Sequence, residues 1–202
     1  MTDLSVRSGL QRLLLVLACL MGVAACGSTL PPVRDVEGLP CLTFRKTHQP
    51  NRICAAQPAV SPALAQQVQQ FLPERDSGVV IVHWRERAGA TRPLELRVDG
   101  QPVAQLVPGG LVRLRLNPGA HEMSVSWGSG QIRQPLSLAA GRVQFAEVAG
   151  RLSFWNLDFA WTLDEGVGFR QRAAEARVLA DLDLRQVAAM PGAPGGSVSP
   201  SP

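Results

Sequence analysis

Several chemical signatures are missing from this chain. It has no Walker phosphate loop, dinucleotide fingerprint, HExxH motif or paired CxxC. That excludes the nucleotide-binding and zinc classes those spacings signal. A serine hydrolase needs a Gly-x-Ser-x-Gly elbow between strand and helix. Gly128-Ser129-Gly130 lacks that spacing and sits between two strand-like runs, so it reads as a turn. A large excess of one charge is missing too. The net charge is +4 over 202 residues, with 19 arginines against the single Lys46. So small and dispersed a charge does not describe a nucleic-acid surface. Nor is there a membrane-spanning run of about 20 apolar residues. Composition and motifs point to no cofactor and no enzyme.

Residues 1–25 read as a targeting segment. Arg7 and Arg12 form a positive start, and Leu13 to Ala25 is an apolar run of 13 residues. It ends in Val23-Ala24-Ala25-Cys26-Gly27. This resembles the bacterial lipoprotein signal, in which the cysteine is lipidated and becomes the mature N-terminus. Cys26 is therefore the expected lipidation site, and the mature charge becomes 18 − 15 = +3. The resemblance implies three acyl chains, where one alone holds only marginally. Gly27 and Ser28 follow the cysteine. By analogy they imply export to the outer membrane, with the protein on its inner leaflet facing the periplasm.

Residues 26–40 read as a proline- and glycine-bearing tether, and 41–77 as a loop followed by a helix. Cys41 and Cys54 are the remaining cysteines. An oxidising compartment favours a disulfide between them; metal binding through nearby His48 and free thiols are the alternatives. The loop between them holds Arg45, Lys46, His48 and Arg52 and no acidic residue. It reads as a solvated loop or as a basic contact with the membrane surface, where each cation near anionic lipid is worth about 1 kcal/mol. Ser61-Pro62 opens a helix, since serine caps well and proline suits the first helical position. Leu64, Val68, Phe71 and Leu72 form its apolar stripe.

Residues 78–163 carry the strand rhythm. Val79 to Trp84 is a β-branched run with both faces apolar. Leu94, Leu96 and Val98 alternate up to Asp99-Gly100, the pair that best tolerates a two-residue hairpin turn. Val112, Leu114 and Leu116 alternate with Arg113 and Arg115. Asn117-Pro118-Gly119 turns the chain again, then Met123, Val125 and Trp127 alternate with polar residues. Pro135 marks an edge strand or a bulge. Leu152 to Leu163, rich in Phe and Trp, reads as one extended segment closing the core. These spacings predict a mainly β fold: an antiparallel β-sandwich of about seven strands, with one helix before it and one after. Residues 164–189 read as a helical segment centred on 167–180, and 190–202 as a disordered tail.

The run Val79 to Val148 resembles a family of bacterial lipoproteins known only as a domain of unknown function, itself similar to PEGA-type β-sandwich modules. The resemblance rests on Val82 to Arg85, Val98-Asp99-Gly100, Gly109-Gly110, Pro118-Gly119-Ala120-His121 and Ala140-Gly141-Arg142 before Phe145. It departs at Arg142, where lysine is common, and in lacking tyrosine from the aromatic strand. It implies a small antiparallel sandwich and no reaction.

The candidate site residues follow from these patterns. Asp99, Gly100, Pro118, Gly119 and His121 are turn residues, and the His121 ring either caps backbone carbonyls or reaches a ligand. Arg97, Arg113, Arg115 and Arg133 fall opposite the apolar positions of their strands. They read as an ordinary wet face, or as a basic face for anionic glycan, lipid headgroups or an acidic protein. No metal set is expected, because a pairing of His83 with His121 has no placed third ligand. The functional expectation is a non-catalytic, membrane-anchored envelope lipoprotein acting as a structural or partner-binding module. The alternative is a binder of anionic glycan or lipid through the arginine face.

Overall fold

The computed structural model describes residues 33–46, 49–85, 92–153, 156–163 and 167–186. In chain order the elements are β1 (Arg34–Val36), β2 (Leu39–Lys46), β3 (Gln49–Cys54), α1 (Pro62–Val68), β4 (Gly78–Trp84) and β5 (Leu94–Val98). Then come β6 (Gln101–Leu106), β7 (Gly110–Leu116), β8 (Gly119–Trp127) and β9 (Gly130–Leu138). The last are β10 (Arg142–Ser153), β11 (Asn156–Leu163), α2 (Val167–Glu175) and β12 (Arg177–Asp183). They form sheets of order β1-β2-β3, β11-β10-β4-β7-β12 and β6-β5-β8-β9.

The fold is mainly β, but it is not the purely antiparallel arrangement of about seven strands that the spacing suggests. Twelve strands occur among the described residues. The five-stranded sheet is mixed, because β10 runs parallel to β4 and β12 parallel to β7. Strand β4 is buried along its whole length. Val80, Val82 and Trp84 face the four-stranded sheet, sharing a core with Leu96, Val98, Met123 and Val125. Val79 and Ile81 face the opposite way, where Val68 of α1, Phe71 just after it, and Phe169 and Ala173 of α2 cover them. The β-branched run suits this position, since each buried aliphatic side chain contributes about 1.5–3 kcal/mol on either face.

Local chemistry sets the turns and caps. Asp99 and Gly100 both have positive φ, 49° and 79°, as a twist-matched two-residue hairpin turn requires. Ser61 caps α1 by accepting a hydrogen bond from Leu64 N. Of the predicted stripe, Val68 and Phe71 are buried, while Leu72 is exposed. The helix ends at Val68, before Pro73.

Four segment expectations are corrected. Residues 34–40, read as tether, form β1 and the start of β2. The Cys41–Cys54 loop is a hairpin in which the two cysteines are cross-strand partners. The aromatic segment from Leu152 to Leu163 is not one strand, since β10 ends at Ser153 and β11 begins at Asn156. The C-terminal helix stops at Glu175, and Arg177–Asp183 is a strand instead. The expected tail from 190 lies outside the described residues.

Register gives the sheets two distinct ends. At one, Trp84 pairs with Val148, and Gly110 with Arg177. The Arg177 guanidinium reaches Asp35 of β1 at 2.6 Å. Phe159 contacts Trp84 and Trp127 there, with ring centroids 5.5 Å and 4.6 Å apart. Lying beside β1, this is the end nearest the expected tether, hence the tether end. At the far end Gly78 pairs with Leu116 and Arg142, next to the turns at Asn117-Pro118 and Ala140-Gly141.

Candidate functional site

Three clusters of polar side chains stand out from the apolar layers. The first braces the far-end turns. His121 Nδ1 lies 2.7 Å from Asp99 Oδ2, and its Nε2 lies 2.9 Å from the Asn117 carbonyl. Asp99 Oδ1 accepts from the Glu122 backbone N–H at 2.9 Å. One imidazole thus ties the β5–β6 turn to the β7–β8 turn, the latter built by Asn117, Pro118 and Gly119. Burial disfavours the charged ring, but the Asp99 carboxylate and the Asn117 carbonyl outweigh it and raise the His121 pKa above 6.5. Both ring nitrogens face acceptors, so the doubly protonated form fits best. Every contact of His121 is spent inside the protein.

The second cluster overturns the proposed arginine face. Arg113 and Arg115 are on the helix-bearing side of the five-stranded sheet, opposite in register to Asp181 and Asp183 of β12. Arg113 is 4% exposed. It donates two hydrogen bonds to Asp181, each 2.7 Å. The bidentate bond, opposed by burial and helped by the carboxylate's charge, holds the Arg113 pKa above its ordinary value. Arg115 reaches Asp181 at 3.4 Å and Glu74 at 3.5 Å. Only Arg97 and Arg133 remain on the four-stranded sheet. Arg97 is engaged by Glu95 and the Gly100 carbonyl, and Arg133 by Glu122. The four arginines do not form one surface. Alternation separates the two faces of a strand but does not say which face a helix will cover.

The third cluster was not anticipated. Glu147 of β10 is 2% exposed and pairs in register with His83 of β4. Its carboxylate accepts from Arg172 of α2 at 3.0 Å and Arg85 at 3.3 Å, and His83 Nδ1 lies 3.5 Å away. Burial disfavours its charge, but His83 and Arg172 outweigh that and lower the Glu147 pKa. Phe169 packs edge-on against His83. The result is an ionic clasp between α2 and the sheet. Its trace in the sequence is a glutamate two positions after Phe145, where the strand pattern calls for an apolar side chain.

His83 and His121 belong to different sheets and do not converge. No group of three or more metal-ligating side chains occurs among the described residues. Cys41 and Cys54 are disulfide-bonded. Cys26 and His48 lie outside the described residues. No known protein family, curated protein or solved structure matches this chain.

Proposed function

We propose that this protein is a lipid-anchored, non-catalytic module of the bacterial cell envelope that faces the periplasm and docks or supports a partner protein. The carrying observation is the Val23-Ala24-Ala25-Cys26-Gly27 sequence after a short apolar run. The Cys41–Cys54 disulfide supports the same address, because such bonds persist in oxidising compartments. The resemblance to envelope lipoproteins with sandwich domains supports it as well. The lipid belongs to the inner leaflet of the outer membrane, following Gly27 and Ser28. The three polar clusters serve as internal braces, which suits a rigid platform held at a membrane.

The test is Cys26→Ser in cells. The parent chain labels with palmitate and sediments with membranes, and the variant does neither. Normal labelling of the variant ends the lipoprotein reading. Crosslinking of the lipidated protein in its native membrane then captures a recurrent protein partner.

A further inference from the structure

We infer that a second copy of this chain docks on the open edge of β11, joining two five-stranded sheets into one. Other edges of the molecule are blunted, as edges that must stay single usually are. Strand β6 carries Pro102. Beside it the Gln57 side chain bonds both the N–H and the carbonyl of Gln105, as a neighbouring strand would. Strand β9 carries Pro135, and β3 carries Pro50. Strand β12 is irregular between Val178 and Ala180. Strand β11 has none of these devices. Its sequence NLDFAWTL holds no proline, lysine or arginine. It pairs with β10 from Asn156 to Leu163 without a register shift. Among the described residues, β10 is its only bonded neighbour. Leu163, at its end, is with Leu72 one of the two large hydrophobic side chains left exposed among those residues.

The open edge is self-complementary. Directly opposed residues of an antiparallel pair share one face of the sheet. A twofold axis perpendicular to the sheet, which keeps both inner faces on the same side, must therefore pass through a residue that pairs with its own copy. Ala160, half-buried, puts the smallest side chain of the strand on that axis. Phe159 then lies opposite Trp161 of the partner subunit, both on the face that packs toward the four-stranded sheet. On the other face, exposed Asp158 lies opposite exposed Thr162 of the partner subunit, a carboxylate against a hydroxyl donor. Other positions of the axis fit less well. At Asp158 it opposes two carboxylates. At Phe159 it leaves Leu163 outside the strand pair, and at Trp161 it leaves Asp158 outside. A second copy suits this edge better than an unrelated segment does, because one short sequence supplies both halves of every pair. The contact needs no lipid anchor and is separable from the anchored reading.

The experiment uses the full-length chain in detergent micelles, with sedimentation equilibrium and site-directed crosslinking. The parent chain sediments as a dimer. Under mild oxidation Ala160→Cys crosslinks to its own copy, because opposed Cβ atoms across a strand pair are about 5 Å apart. Asp158→Cys mixed with Thr162→Cys crosslinks as well, while neither does so alone, and the parent chain sets the background. Thr162→Asp opposes two carboxylates and weakens the dimer about tenfold. Adding Asp158→Lys to that variant restores it. Both positions are exposed, so the melting curves of these variants match the parent's. A monomeric parent chain overturns the inference. So does a dimer that Ala160→Cys does not crosslink, or that Thr162→Asp leaves intact, because it forms on another face. A photo-crosslinker at position 160 that captures a different protein in cells, and not this chain, assigns the edge to that protein and overturns the second copy.

Discussion

The two ends of the sheets are closed by opposite chemistry. At the far end, polar groups brace short turns, with His121 joining Asp99 to the Asn117 carbonyl and Gly141 N–H donating to the Glu74 and Ser77 carbonyls. At the tether end, aromatic rings do the closing, with Phe159 between Trp84 and Trp127. Gly130 belongs to that arrangement, because a Cβ there would lie 2.5 Å from the Trp127 indole. The same alternating strands run between the two ends, so the difference lies in the residues that close them: a hydrogen-bonded histidine and backbone carbonyls at one, stacked rings at the other.

The largest expected effect lies between the ends, where a loss destabilises both. Asp181→Ala strands the buried Arg113 guanidinium and should cost about 3–5 kcal/mol by urea unfolding. Arg113→Met with Asp181→Leu should recover most of that loss. At the tether end, Cys41→Ala with Cys54→Ala removes a short cross-link worth about 3 kcal/mol in the chain-entropy picture, measured the same way. At the far end, Gly100→Val forces a β-branched residue to φ 79° and should cost about 1–3 kcal/mol, with a lower melting temperature. An unchanged melting temperature would mean that this turn bears no strain.

The smallest effect is a pH dependence confined to the far end. The folded pKa of His121 is raised above 6.5. Its contribution is therefore fully present below pH 6.5 and is lost as pH rises through the folded value. His121→Gln should flatten the stability profile over that window and leave the acid limb alone. The acid limb belongs in part to Glu147, whose folded pKa lies below 4.5. Its contribution is present above pH 4.5 and is lost as pH falls through the lowered value. Parallel melting curves for His121→Gln and the parent across neutral pH would remove the histidine brace from the account.

Much of the fold was legible in the sequence. Asp99-Gly100 and Asn117-Pro118-Gly119 marked their turns, and Ser61-Pro62 marked a helix start. Two features were not. Nothing between Leu152 and Leu163 breaks the chain as glycine or proline does, so the hairpin there looked like one strand. Arg177–Asp183, with Ala180 and Leu182, has the composition of a helix. It becomes a strand because Asp181 and Asp183 match Arg113 and Arg115 across a parallel pair, and tertiary context overrides local propensity. The same pairing took two arginines out of the expected surface. A single strand records its own alternation but not the partner that will cover each face.

Amide hydrogen exchange, corrected for its intrinsic pH dependence, is the most direct measure of whether the two ends differ as described. It reads the Glu122 N–H, held by Asp99 at the far end, and the Phe159 N–H of β11 at the other, in one experiment on the folded protein. Protection of Glu122 that falls as pH rises through the raised His121 pKa, with protection of Phe159 unchanged, is the predicted result. Equal pH responses at the two positions would contradict an account in which a histidine brace closes one end and aromatic rings the other.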